Sequence, residues 1–249
     1  MSDALGAAVV MLGIDPIAHS LADSARREIE RQLGRPLPDS VARLLQFPGV
    51  MEAVASTYTS DAVFPASVQF LNGNMLPGAG DDVLWLMTEN QGVCHWGVPL
   101  GAGDDPPILV GGDLEGGEIT TEYASSVGEF VFAMAWDKRL MSHEPLIQAQ
   151  ADPIDDQTLS TLSTRYFERV KTLGWPAREN RRFEGQDGLL LTIWSGKSQC
   201  DWCIAADQTQ ALEQAITSLR SQSNLETALW SNDAPGIELL ARLGIGGYR

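Results

Sequence analysis

The sequence predicts an α+β fold, in which helices pack on a mixed, mainly antiparallel sheet and a C-terminal helix–strand–strand–helix unit follows. Apolar residues at helical spacing fill both ends of the 249-residue chain, whereas its middle consists of short apolar runs between glycine-rich turns. The apolar share of 44% is ordinary, and no segment reaches the roughly 18–20 apolar residues that span a bilayer. Three cysteines, an odd number, fit a reducing compartment. We therefore expect a cytoplasmic protein that packs its own core.

Three helices are predicted before the sheet. Asp15 can cap a helix that has proline at its first position and an apolar stripe as far as Gly34. A second helix is capped at position 39 or 40 and continues through Leu44, and a third covers about 50 to 57. The apolar run before Asp15 has no basic segment ahead of it, so we expect no signal peptide.

Strands are predicted from residue 83 onward. Val83–Thr88 is almost continuously apolar, which is typical of a strand with both faces covered, and Val93–Val98 is its return strand after a turn. A short third strand, Ile108–Val110, is broken by two glycines. Ser126 and Glu129 then form a capping box. The helix behind it, which ends near residue 140, is apolar nearly all round, so we expect it to be buried between layers.

A second unit is predicted after a linker at Pro145–Pro153, which gives domains of 1–145 and 152–249. Its predicted elements are a helix over Leu159–Leu173, a hairpin of Leu189–Trp194 and Trp202–Ala206, a helix capped by Asp207 and a short helix over Ile237–Leu243. A unit of this size is small for an independent core, so we expect it to pack on the first.

Negative charge is concentrated in the middle of the chain. The chain has 33 acids and 17 bases, a net charge of −16, which argues against nucleic acid or an anionic membrane as partner. Thirteen of those acids lie between Arg43 and Lys138, an interval without Lys or Arg. Such acidity can serve solubility alone. Because it is confined to one interval, it also indicates a face for a protein partner with a basic surface.

Three partial motifs do not amount to a catalytic or metal site. Gly196-Lys197-Ser198 is similar to the end of a phosphate-binding loop, but position 191 is leucine and a strand follows. Cys200 and Cys203 lie three apart on a strand, so their sulfurs should point to opposite faces. The three histidines share no ligand spacing. We predict free, buried thiols and no metal, while a catalytic triad assembled from distant residues stays open.

One pentapeptide, Gly-Ala-Gly-Asp-Asp, occurs at 78–82 and again at 101–105. Each copy precedes a predicted strand and is rich in glycine, so exposed turns are expected. The repeat can be two similar turns without a function, or two acidic loops that lie near each other on one rim of the sheet. The candidate partner-binding residues are the polar residues of these and neighbouring turns: Asp81, Asp82, Glu89, Asn90, Gln91, Asp104, Asp105, Glu115 and Glu118.

Four pieces of the chain occur in a recognisable order: Pro36-Leu-Pro38, Glu89–Gly97, Asp104–Pro107, and the capped helix from Ser126 with Phe130. Together they resemble the SUKH superfamily, which includes Smi/Knr-type fungal cell-wall regulators and many bacterial immunity proteins. The resemblance covers about 35 to 140 and implies a mainly antiparallel sheet, no cofactor and a role in binding proteins, in bacteria often a toxin nuclease. It also implies that Trp96 fills the core and that Gly97 lets another element approach closely.

These expectations lead to a non-catalytic function in protein binding. The first hypothesis is an immunity-type inhibitor whose acidic loops mask a basic surface, such as the substrate groove of a nuclease. The alternative is a regulatory or scaffold module with a cellular protein partner. An enzyme with dispersed site residues is the third.

Overall fold

The computed structural model describes residues 3–58, 60–80, 82–114 and 117–245, and it confirms the α+β class. The chain divides into a first unit, residues 1–138 with 172–175, and a second unit, residues 139–171 with 176–249. The boundary falls inside a helix and not at the predicted limits of 145 and 152. None of the described helices has the length and apolar character needed to cross a membrane.

Helices open the first unit. In chain order they are α1 (Ala4–Leu12), α2 (His19–Leu33), α3 (Asp39–Leu44) and α4 (Val50–Ala55), the last continued by a 3₁₀ turn at Ser56–Tyr58. The second and third predicted helices are confirmed as α3 and α4, although the N-cap of α3 is Pro38 and not residue 39 or 40. The predicted start of α2 was wrong, because its N-cap is Ala18 and not Asp15. The apolar run near the N-terminus forms α1, capped by the Asp3 carboxylate, which accepts the Leu5 N–H at 3.3 Å.

A five-stranded antiparallel sheet follows, with its strands side by side in chain order. They are β1 (Ser60–Ala62), β2 (Val83–Glu89), β3 (Cys94–Pro99), β4 (Ile108–Leu114) and β5 (Gly117–Ala124). The predicted hairpin of β2 and β3 is confirmed, with Leu84 opposite Val98. The predicted break at Gly111 was wrong, because β4 continues through both glycines to Leu114.

One face of this sheet packs against a buried helix, α5 (Val127–Met141). Trp96 is fully buried and stands edge-on to Tyr123 at 6.1 Å, and Tyr123 in turn meets Phe130 of α5 at 5.9 Å. The capping box is confirmed on one side, since the Ser126 hydroxyl accepts the N–H of residue 129 at 3.1 Å. The predicted burial of α5 is confirmed, because α1, α4 and the 3₁₀ turn after α4 contact it in addition to the sheet.

The opposite face of the sheet is covered by the chain between β1 and β2. This covering is close because two glycines face it. An added Cβ at Gly97 would lie 2.6 Å from Leu71 Cδ1, and one at Gly111 would lie 2.9 Å from the Met75 carbonyl oxygen and against Leu76. The close approach that the resemblance implied at Gly97 is thus present in the structure. The sheet is buried on both faces only because these positions have no side chain.

The second unit is built on a six-stranded antiparallel sheet with the order β11-β6-β10-β9-β8-β7. Its elements are β6 (Leu146–Ala151), α6 (Asp156–Arg165), β7 (Phe167–Leu173), β8 (Glu179–Glu184), β9 (Leu190–Ser195), β10 (Cys200–Ala205), α7 (Thr209–Leu219), α8 (Leu225–Ala228), β11 (Leu229–Trp230) and α9 (Ala234–Arg242). The hairpin of β9 and β10 and the last helix, α9, confirm their predictions. The unit has four further strands, so the predicted helix–strand–strand–helix composition was too simple.

Three local predictions in this unit were wrong. The expected linker at Pro145–Pro153 contains β6, which pairs with strands on both sides. The expected helix over Leu159–Leu173 divides into α6 and β7. Asp207 does not cap α7, whose N-cap is Gln208; its carboxylate accepts from the Arg139 guanidinium at 3.2 Å.

Gly111→Ala should lower the free energy of unfolding by about 1–3 kcal/mol, because the new methyl group would be overpacked against the Met75 carbonyl and Leu76. Gly101→Ala is the matched control. Its methyl group would have the Arg35 guanidinium at 4.0 Å as nearest neighbour, so we expect a change within about 0.5 kcal/mol. Denaturant titration of the two variants measures the difference. Equal denaturation midpoints for the two variants would show that the covering segment does not require a strand position without a side chain.

Candidate functional site

The predicted partner-binding residues lie at two opposite rims of the five-stranded sheet. The β2–β3 hairpin turns at Asn90 and Gln91, whereas Asp82, Asp104 and Asp105 lie beyond the other ends of the strands. The six residues of β3 separate the two rims by about 20 Å. The candidate residues therefore do not form one surface, and each rim has its own chemistry.

At the first rim, the last residue of the first Gly-Ala-Gly-Asp-Asp copy pairs with the residue that precedes the second copy. The Leu100 N–H donates to the Asp82 carbonyl oxygen at 3.0 Å, which extends the β2–β3 ladder one step beyond Val83 and Pro99. The predicted proximity of the two loops is thus present. Asp82, Asp104 and Asp105 are all exposed there, as expected for turns. We call these three residues the double-aspartate rim.

Helix starts fix the second of these loops. The Ser40 N–H, in the first turn of α3, donates to the Asp104 carbonyl oxygen at 3.0 Å. The Val127 N–H, at the start of α5, donates to Asp105 Oδ1 at 3.3 Å. Both amides belong to the first turn of a helix, where no partner exists within the helix itself. The loop is therefore held by two helices as well as by β3.

A basic residue from outside the interval between Arg43 and Lys138 also lies at this rim. Arg35, in the connection between α2 and α3, places Nη1 2.8 Å from Asp82 Oδ2. Exposed pairs of this kind contribute about 0–1 kcal/mol to stability, but the pair offsets the charge of Asp82. Among the described residues, the Asp104 carboxylate has no hydrogen-bond or ion-pair partner. Asp104 and Asp105 thus supply most of the negative charge of this rim.

At the opposite rim, the structure contradicts the predicted exposure of Glu89. Glu89 is buried, with 6% of its surface exposed, and its carboxylate accepts the Gln91 N–H at 2.8 Å. Its carbonyl oxygen also accepts the Gly92 N–H at 2.8 Å. Glu89 therefore braces the hairpin turn from inside, and its assignment to a partner surface was wrong. Asn90 and Gln91 are exposed at the turn.

Three candidates cannot be placed. Asp81 and Glu115 lie outside the described residues, and so does the side chain of Glu118, a residue of β5 whose backbone is opposite Asp113 of β4. Sequence reasoning also missed Asp39, which precedes Ser40 and is therefore close to the Asp104 loop. Asp39 is exposed and pairs with Arg26 at 3.1 Å. The only sequence signal for Asp39 was an acidic residue at the predicted start of α3. Its position next to residue 104 depends on tertiary packing.

Cys94, Cys200 and Cys203 are free and buried, as predicted. Burial raises the pKa of the Cys200 thiol to about 11 and raises that of Cys94 further. Among the described residues, no three His, Cys, Asp or Glu side chains are close enough together to hold a metal ion.

No protein-family model, curated protein or solved structure matches this chain. Membership of the SUKH superfamily therefore stays a prediction based on its motifs.

Asp105→Ala should destabilise the start of α5 by about 0.5–1 kcal/mol, because it removes the acceptor of the Val127 N–H. Because the hydrogen bond from the Val127 N–H to Asp105 is long, the loss of stability should lie at the lower end of the range for helix caps. Asp105→Asn keeps an acceptor and should lose less, and Asp104→Ala should change stability by under about 0.5 kcal/mol. Native-state hydrogen exchange of the α5 amides measures the three variants. Equal protection in all of them would mean that Asp105 does not support the helix.

The thiols should be slow to react in the folded protein. At mildly alkaline pH, a raised pKa leaves little thiolate, and burial blocks access of a disulfide reagent such as Ellman's. All three thiols should react rapidly once the chain is unfolded in denaturant, which is the internal control. A chelator should leave the melting temperature unchanged. Rapid native reaction of Cys200 or Cys203, or a chelator-dependent melting temperature, would contradict this picture.

Proposed function

We propose that this chain is a non-catalytic protein-binding module that uses the double-aspartate rim to bind a basic surface on a protein partner. The observation that carries the proposal is the convergence of the two acidic turns, joined by the bond from the Leu100 N–H to the Asp82 carbonyl oxygen at 3.0 Å. An inhibitor of the immunity type, directed at a nuclease-like toxin, is the function that this rim supports best.

Preorganisation is the first argument. A flexible acidic loop would lose conformational freedom on binding, and that loss would oppose affinity. The 101–105 loop is already fixed by the Ser40 and Val127 amides. Its backbone is restrained while its carboxylates remain in water. Binding then orders few groups beyond the aspartate side chains.

Charge is the second argument. Surfaces that bind nucleic acid are rich in Lys and Arg because they neutralise phosphates. Exposed carboxylates on a protein with net charge −16 attract such a surface over distance and compete with phosphate for it. The motif order shared with SUKH proteins supports the same role. The partner we propose is therefore a basic protein and not a nucleic acid or a membrane.

Association of this protein with a purified partner should slow steeply as salt rises from 0.1 M to 1 M, over which the screening length falls from about 10 Å to about 3 Å. Asp104→Asn/Asp105→Asn should weaken binding about tenfold, or about 1.4 kcal/mol. Asp81→Asn/Asp82→Asn should weaken it less, because Arg35 already offsets Asp82. Stopped-flow or surface-based kinetics measure both effects.

The matched control is Asp152→Asn/Asp156→Asn, which removes the same charge from exposed positions in the second unit. It should bind like the wild type. If association rates do not depend on salt and the rim variants bind normally, the acidic residues serve solubility and do not bind the partner. A tight complex that abolishes nuclease activity supports the inhibitor, and weaker binding to several cellular proteins supports the regulatory or scaffold module instead.

A further inference from the structure

A groove in the first unit is lined by none of the three residues of the double-aspartate rim. It has a volume of about 670 Å³ and is bordered by α2, by the turn before α4, by the start of α4 and by the segment 65–68. Most of its lining residues are apolar by type. Ile29, Leu44 and Met51 are buried members of that lining, while Pro48 and Ala66 are exposed. A buried apolar floor with exposed apolar edges leaves room for an apolar side chain from outside the chain.

The charged groups of the groove have one sign. Within the described part of the chain, its charged lining residues are Glu28 and Glu52, and none is Lys or Arg. Glu28 is already engaged, because hydrogen bonds from Arg31 and Gln32 lower its pKa to about 2. Glu52 is exposed, and its carboxylate has no hydrogen-bond or ion-pair partner among the described residues. Among the described residues, the groove therefore has one carboxylate without a partner, that of Glu52, next to its apolar lining.

We propose that this groove docks a protein segment that carries an apolar side chain next to a Lys or Arg. The apolar side chain would lie against the half-buried Phe47 and the exposed Pro48, and the cation would meet the Glu52 carboxylate. Charge favours a basic partner over a second copy of this chain, which would bring another net charge of −16. The exposed edges at Pro48 and Ala66 favour a chain that continues past the groove over a small molecule, which binds best when enclosed. This surface is separate from the proposed function and does not depend on it.

The test uses short synthetic peptides and the full-length protein. A blocked peptide with two leucines flanked by lysines is the probe, compared with one in which glutamine replaces lysine and one in which serine replaces leucine. Amide chemical shifts in NMR titrations locate the binding. We expect the leucine–lysine peptide to shift amides in 25–32, 47–52 and 65–68. Each altered peptide should bind about threefold more weakly or worse, as for loss of a partly exposed ion pair or of apolar contact.

Two variants on the protein separate the contributions. Glu52→Gln should weaken the leucine–lysine peptide about threefold without affecting the glutamine peptide. Ala25→Leu should fill the groove and weaken both. Glu122→Gln, an exposed acid on β5, is the control for charge and should change neither. Because Glu52 is exposed, its variant keeps the test informative if Ala25→Leu does not fold.

Several results would overturn the proposal. Shifts confined to the double-aspartate rim would place the peptide on the other surface. Equal affinity of the lysine and glutamine peptides would remove the role of charge. Equal affinity of the serine peptide would remove the apolar contact. Binding of n-butylammonium alone at the affinity of the peptide would make the groove a small-cation site.

Discussion

The register of β3 between its neighbours is the constraint on which the first unit depends. Trp96 and Gly97 alternate along this strand, so the largest side chain faces α5 and the smallest faces the segment that covers the other side. A slip of one residue would exchange the two faces. Trp96 would then meet the covering segment, where even a Cβ on residue 97 has neighbours at 2.6 Å. The bulk of one residue and the absence of a side chain on the next therefore select a single pairing.

That pairing also determines what the rims can do. Because Val83 is opposite Pro99, the Asp82 carbonyl oxygen faces the Leu100 N–H, and the two acidic turns meet. The same pairing places Glu89 at the opposite end, where it is buried beneath its own turn. Two rims of one sheet thus have different roles. One has its backbone fixed and its carboxylates in solvent, and the other has its carboxylate directed inward.

Local pattern was enough to predict the β2–β3 hairpin, the Ser126 cap and the β9–β10 hairpin, because alternation and turn chemistry act over a few residues. Local pattern gave the wrong prediction where the same residue type is common in two kinds of structure. Glycines at 111 and 112 suggested a break, yet in β4 they make room for a neighbouring segment. The alternation in β6 relies on alanines between Pro145 and Pro153, a pattern that is also typical of a linker. Arg35 and Asp39 reach the rim only through tertiary packing, which no spacing along the chain reveals.

We propose that the double-aspartate rim, with its backbone already fixed, is the surface that a basic protein partner covers. Hydrogen exchange of the protein alone and in complex with that partner tests this claim most directly. The account predicts slower exchange at the amides of residues 100–105 and at Ser40, with no change at the turn of residues 90–92. Slower exchange at that turn or in the second unit, with none at residues 100–105, would contradict it.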